Sequence, residues 1–244
     1  MHFGIIAAGE GSRLAGEGVK QSKPLLPICG EPMIGRLIGI YERAGAKSIN
    51  VVINDFMPDV REYLTSLQKE MKTPLHLKIQ TTPSSMHTFY HLSTIVPDEG
   101  RFIATTVDTI FKEEDFLKYV EAYRNADKAL DGLMAVTDFI EDEKPLYVKT
   151  DSGMRITGFL DTPEPGVKYV SGGIYGLDGK SVRVLAECLE KGVSRMRNFQ
   201  RALVARGLRL KAYPMGKIID VDHASDIMTA EEFLKNRDSK DGRD

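Results

Sequence analysis

The chain has 244 residues, 42% hydrophobic and 28% charged, enough to bury the core of one large α/β domain. Its 33 basic and 35 acidic residues leave a formal charge of −2 without long blocks of either sign, which argues against a general nucleic-acid or membrane surface. The two cysteines, Cys29 and Cys188, fit no zinc-ligand spacing and read as reduced thiols of a cytoplasmic protein.

Residues 3–8 form an apolar run without alternation, the pattern of a strand covered on both faces. The run is too short to span a membrane and lacks a basic n-region, so neither an anchor nor a signal peptide is expected. Gly9 and Gly11 end it. Glycine reaches positive φ and lets backbone N–H groups approach an anion, which makes Ala8, Gly9, Gly11 and Ser12 a candidate phosphate cradle. Arg13 and Lys23 add fixed positive charge, Arg13 as a planar fork suited to phosphate oxygens. A dinucleotide fingerprint would need a small residue where Leu14 stands, and no P-loop pattern starts at Gly9, Gly11 or Gly16.

Met33, Leu37, Ile38, Tyr41 and Ala44 recur at helical spacing, with Gly45 placed to end the helix. A strand over 49–53, a helix over 59–72 and a strand over 75–81 continue a βαβα rhythm, whose ligands belong at the carboxyl ends of the strands. Helix 86–95 and strand 101–107 follow, and Asp108 stands at that strand's tip, well placed for a metal or for capping the next helix. Next come a helix over 112–125, a strand over 132–137, a hairpin of 146–150 with 154–160, and a strand over 169–177. Helices over 180–191 and 194–206, strands over 208–213 and 217–221, and a last helix ending near Lys235 complete the chain. No repeat is present at solenoid spacing.

The segments Ala7-Ala8-Gly9-x-Gly11-Ser12-Arg13-Leu14, Lys23-Pro24-Leu25-Leu26-Pro27-Ile28 and Pro32-Met33-Ile34 together closely resemble the signature of the sugar-phosphate nucleotidyltransferases, the nucleoside-diphosphate-sugar pyrophosphorylases. The resemblance implies an α/β fold: a Rossmann-like, mostly parallel mixed sheet flanked by helices, in a single domain over residues 1–236. It divides that domain into a nucleotide-binding half, 1–112, and a sugar-phosphate half, 113–236; the charged composition of the C-terminus reads as a flexible tail over 237–244. The implied activity is Mg2+-dependent transfer from a nucleoside triphosphate to a sugar 1-phosphate, releasing pyrophosphate without a protein nucleophile. A homo-oligomer is compatible with it, and neither nucleic acid nor membrane is an expected partner.

By the same resemblance Arg13 and Lys23 are catalytic, and Gln80, Ser84 and Ser85 join the glycine loop around the nucleotide. Asp108 and Asp220 hold the metal, although strand alternation puts Asp222 on the same side as Asp220 and leaves the choice open. Gly173, in Val170-Ser171-Gly172-Gly173-Ile174-Tyr175, passes beneath the sugar. The chain departs from the pattern in three places: Ser84-Ser85 stand where Gly-Thr is frequent, Val107 stands for glycine, and Asp161-Thr162-Pro163 stands for Glu-Lys-Pro. The last departure removes a phosphate-binding lysine, and Lys168 is the nearest substitute. Two alternatives stay open: cytidylyl or guanylyl transfer to phosphocholine, an alcohol phosphate or a molybdopterin-type cofactor, and a non-catalytic module that senses nucleotide sugars.

Overall fold

Strand β1 (His2–Ala7) has all six residues buried, and its side chains alternate between two cores. Phe3, Ile5 and Ala7 face one cluster, while Ile6 and Ala8 face another, so an unbroken apolar run becomes a central strand covered on both sides. The computed structural model describes residues 1–97, 100–140 and 144–236; the tail expected at 237–244 lies outside the described residues.

A short helix α1 (Ser12–Gly16), a 3-10 turn (Lys23–Leu25) and a small clasp of β2 (Pro27–Ile28) with β3 (Glu31–Pro32) precede α2 (Met33–Arg43). The sequence reading expects a plain loop there. Leu14, Leu26, Ile28 and Met33 instead turn inward and form a separate buried cluster with Ile110, Ile219, Val221 and Ala230. Their irregular spacing has neither helix nor strand period, so tertiary burial alone selects these turns. The cluster fastens the glycine loop to residues from the far end of the chain.

Strand β4 (Ser48–Ile53), helix α3 (Pro58–Glu70), strand β5 (Leu75–Ile79), helix α4 (Ser85–Ser93) and strand β6 (Phe102–Thr106) keep the alternation. In the sheet β6, β1, β4 and β5 run parallel, with Phe3 opposite both Ile49 and Ile103. The two-residue β7 (Thr109–Ile110), α5 (Glu113–Asn125), β8 (Gly132–Thr137), and the hairpin of β9 (Tyr147–Thr150) with β10 (Ile156–Leu160) come next. Long strand β11 (Tyr169–Leu177) lies antiparallel against β6, β8 and β9. Helices α6 (Gly179–Glu190) and α7 (Met196–Ala205), strand β12 (Leu210–Pro214), strand β13 (Ile219–Asp220) and helix α8 (Ala224–Lys235) complete the fold. The main path of the mixed sheet is β10-β9-β11-β6-β1-β4-β5, with β8 and β12 branching from β11.

Helices cover both faces. Phe3, Tyr41, Phe111 and Phe116 stack on one side, with Phe111 and Phe116 centroids 5.0 Å apart and Tyr41 and Phe116 5.5 Å apart. On the other, Phe89 of α4 meets Phe102 and Phe199, and Met196, Phe199 and Leu203 of α7 are buried as core. Among the described residues no helix is long and apolar enough to cross a membrane.

Candidate active site

The carboxyl ends of β1 and β6 open into a groove floored by the glycine loop. Gly11 has φ +62, and a Cβ there would lie 3.1 Å from Cβ of Lys23, so glycine both makes the turn and lets Lys23 pass close beneath it. Ala8, Gly9, Gly11, Ser12, Arg13 and Lys23 line this groove on one side, and Ser84 and Ser85 on the other. A second groove adjoins it. Ser85, Thr106, Asp108 and Asp222 line both, and the second continues past Asp220 to Gly173, Tyr175, Gln200 and the cations Lys144, Arg195 and Arg197.

The shared wall is a charge cluster. The Lys23 ammonium donates to Oδ2 of Asp108 at 2.6 Å and to Oδ1 of Asp222 at 2.7 Å, while Arg13 Nη1 donates to Oδ2 of Asp222 at 2.7 Å. Burial alone would pull the Lys23 pKa down, but the charges and hydrogen bonds of the two aspartates outweigh it and raise it above the ordinary lysine value. Lys23 is thus a fixed cation.

Backbone ladders carry these carboxylates. Asp220 pairs with Thr109 across β13 and β7, and the Val221 N–H donates to the Asp108 carbonyl at 3.0 Å. The Thr109 hydroxyl donates to Oδ1 of Asp220 at 3.2 Å and lies 2.5 Å from the Thr106 hydroxyl. Strand β13 stops at Asp220, so alternation does not extend to Asp222, which sits in the following turn. That turn is held by Oδ2 of Asp226, which accepts from the Asp222 and His223 N–H groups at 2.8 and 2.7 Å. Glu17 accepts from the Ala224 N–H at 2.7 Å and lies 2.5 Å from Nδ1 of His223, which ties the glycine loop to the start of α8. His223 therefore serves the turn.

Burial raises the Asp222 carboxyl pKa, but the Lys23 charge and hydrogen bond, with Arg13 beside them, leave it below the usual carboxylate value. A carboxyl depressed in the folded state stabilises the fold above its unfolded pKa of about 3.9, and that contribution disappears as pH falls through the lower folded value. We expect Asp222→Asn to flatten the loss of stability on acidification below about pH 4. Urea denaturation of both proteins over that range checks this, and parallel acid limbs would contradict it.

A model of the nucleotidyl transferase family matches residues 4–237. The chain belongs to the nucleotidyl transferase family. That membership makes it a nucleotidyltransferase by class. A bifunctional protein GlmU from Methanocaldococcus jannaschii is 25% identical over 97% of this chain and 55% of its own length, and a CMP-5'-(3-aminopropyl)phosphonate synthase from Streptomyces rubellomurinus is 30% identical over 33% and 13%. The chain thus spans about half or less of the length of these relatives. A Bacillus anthracis structure described as a glucose-1-phosphate thymidylyltransferase superposes with a TM-score of 0.82 at 21% identity, covering 98% of this chain and 96% of that one. The inositol-1-phosphate CTP transferase from T. maritima gives 0.77 at 14% identity over 96% and 98%. At such identities the likeness shows a common fold, the mostly parallel mixed sheet of nucleotidyltransferases.

Within this nucleotidyltransferase the sequence-derived positions separate into two groups. Ala8, Gly9, Gly11, Ser12, Arg13, Lys23, Ser84, Ser85, Asp108, Gly173 and Asp220 all line one or other of the adjoining grooves. Gln80 and Lys168 line neither. The Gln80 side chain donates to the Thr81 carbonyl at the end of β5, and the exposed Lys168 ammonium lies 4.8 Å from the Tyr169 ring centroid. No local sequence signal marks Thr106, Lys144, Arg195 or Arg197, which also line these grooves, or Thr109, which bonds Asp220. Its Asp161 departure has a partner, since Asp161 accepts from Arg197 at 2.5 Å and pairs with Arg201 at 2.7 Å, anchoring α7.

The carboxylates of Asp108 and Asp222, with Asp220 lining the same groove, offer oxygen ligands, the kind a hard divalent cation takes. No group of three or more His, Cys, Asp or Glu is placed to hold a metal by itself among the described residues.

Proposed function

We propose that the protein joins a nucleoside triphosphate to a sugar 1-phosphate, giving a nucleoside-diphosphate sugar and pyrophosphate. The observation that carries this is the wall of Lys23, Asp108 and Asp222 standing between a glycine-loop groove and a second groove rich in hydrogen-bonding groups. Residues 1–112 supply most of the nucleotide side and 113–236 most of the acceptor side, with Asp220 and Asp222 reaching across. An oxygen of the acceptor phosphate attacks the α-phosphorus, a new P–O bond forms, and the bond to the bridging oxygen of pyrophosphate breaks. The attacking oxygen is already anionic, so no protein base or nucleophile takes part.

The difficulty is bringing two anions together in line, and positioning with charge neutralisation overcomes it. The loop N–H groups, Arg13 and Lys23 hold the triphosphate and take up negative charge as it grows on the departing pyrophosphate. Asp108, with Asp220 or Asp222, fits Mg2+, which accepts one or two carboxylates and completes its shell with water and phosphate oxygens. When bound there it would neutralise phosphate charge.

On the acceptor side Arg195 takes the role expected of Lys168. Its backbone has φ 72 and ψ 136, costly for a side-chain-bearing residue, and its guanidinium has no partner among the described residues. It stands in the acceptor groove, whereas Arg197 is held by Asp161 and the Lys144 carbonyl. Arg195→Ala should raise the acceptor KM about tenfold, the lower end of one charged hydrogen bond, and leave the nucleotide KM unchanged. Lys168→Ala should change neither. Steady-state kinetics checks both, and an acceptor KM that follows Lys168 would contradict the assignment.

A second reading keeps the chemistry and replaces the sugar with another phosphorylated alcohol. Arg195, which lines the acceptor groove, serves this reading equally, because the phosphate it would recognise is common to both acceptors. Mass spectrometry of products from a panel of triphosphates and phosphorylated acceptors separates the two readings: a nucleoside-diphosphate sugar supports the first, and a nucleotidyl alcohol phosphate supports the second.

A further inference from the structure

We propose that Lys23 gates the metal: its ammonium holds closed the carboxylates a divalent cation needs and yields them to a triphosphate, so that cation and nucleotide enter together. This rests on the nucleotidyl-transfer reading above. Lys23 Nζ donates to both Asp108 and Asp222, at 2.6 and 2.7 Å, so one cation spans the two carboxylates of the shared wall. Arg13 occupies the other oxygen of Asp222. Lys23 and Arg13 thus already neutralise Asp108 and Asp222, and a divalent ion approaching these two carboxylates would meet two cations at close range.

Lys23 is poorly placed to retreat on its own. Its side chain is only 9% exposed, and Gly11 lies so close that a Cβ there would sit 3.1 Å from Cβ of Lys23. Leaving both carboxylates without a replacement anion would strand a buried ammonium, which is expensive. A triphosphate removes that obstacle. Lys23 and Arg13 both line the glycine-loop groove, so phosphate oxygens there can take over both cations with short side-chain movements. The same event uncovers Asp108 and Asp222 and delivers phosphate oxygens as additional ligands. Triphosphate and metal are then coupled, each raising the affinity for the other.

The coupling can be tested without catalysis by titrating the nucleotide-free protein with Mn2+ and following free Mn2+ by electron paramagnetic resonance. The wild type should bind weakly and Lys23→Met at least tenfold more tightly. Lys23→Arg, which keeps the charge, should resemble the wild type. The gain should vanish in Lys23→Met combined with Asp108→Asn, which locates it at this wall. Melting curves report whether each variant is folded, and Lys23→Gln replaces Lys23→Met if the apolar side chain prevents folding. Folded Lys23→Met or Lys23→Gln protein that binds Mn2+ no more tightly than the wild type would overturn the gate. Failure of the functional reading looks different: no pyrophosphate release from any substrate pair, with the Mn2+ affinities still ordered as above.

Discussion

Lys23→Met will slow single-turnover nucleotidyl transfer by two to three orders of magnitude, about 3–4 kcal/mol, the effect of removing one preorganised electrostatic group from a transition state. The size follows from position. Lys23 is the nearly buried cation of the shared wall, it lines the groove proposed to hold the departing pyrophosphate, and its pKa is raised, so it stays protonated at any working pH. Arg13 is about half exposed and shares its guanidinium with Asp222, so it cannot replace Lys23 at the same point. Rapid-quench measurement with saturating nucleotide reads the chemical step directly. The outcome is distinctive when set beside Mn2+ binding, because the variant should hold the metal more tightly and react more slowly. A single-turnover rate within threefold of the wild type would remove Lys23 from the chemistry.

The second large effect is expected at Gly173. It has φ +70, and a Cβ there would lie 2.5 Å from the Thr109 hydroxyl and 2.8 Å from the Thr106 hydroxyl. Backbone strain and overpacking together should make Gly173→Ala less stable by roughly 2 to 4 kcal/mol. A chain of this size would lose about 5 to 12 °C in Tm. Activity should fall as well, because Thr109 donates to Asp220 and any displacement of the threonine pair moves a carboxylate of the site. Gly166→Ala is the control: Gly166 has φ +81, but a Cβ there meets nothing within 4 Å, so only the conformational cost applies and transfer should be unaffected. Calorimetry with kcat/KM for the acceptor tests the pair. Equal melting temperatures and kinetics for Gly173→Ala and the wild type would mean that the close approach has no consequence.

Much of this was legible in the sequence because it is local. The unbroken apolar run of β1, the glycines that end it and the basic residues that follow are neighbours in the chain, and Asp108 stands at the tip of its own strand. Gly173 came from the resemblance of Val170-Ser171-Gly172-Gly173-Ile174-Tyr175 to a family strand, and it lines the second groove. The turns between Gly11 and Met33 were not readable, since their apolar residues are buried against Ile110, Ile219 and Val221 from the rest of the chain. The choice between Asp220 and Asp222 stays open, and register does not bear on it: alternation assumes a strand, and β13 ends at Asp220. Arg195 was hidden because its place depends on where β11 and α7 pack, and nothing beside it in the chain records that it lines a groove. Lys168 was a candidate through nearness in sequence to the missing lysine, with an exposed surface lysine as the other reading, and its ammonium lies beside the Tyr169 ring.

The most direct test of the central claim is pyrophosphate release with Mg2+ across a grid of nucleoside triphosphates against sugar 1-phosphates, other alcohol phosphates and no acceptor. Asp108→Asn serves as the control. Release is expected with one triphosphate only when a phosphorylated acceptor is present, and is expected to be lost in the variant. Silence across the grid in folded protein, with nucleotide sugars binding and raising Tm in the absence of Mg2+, would contradict it and favour a sensing module.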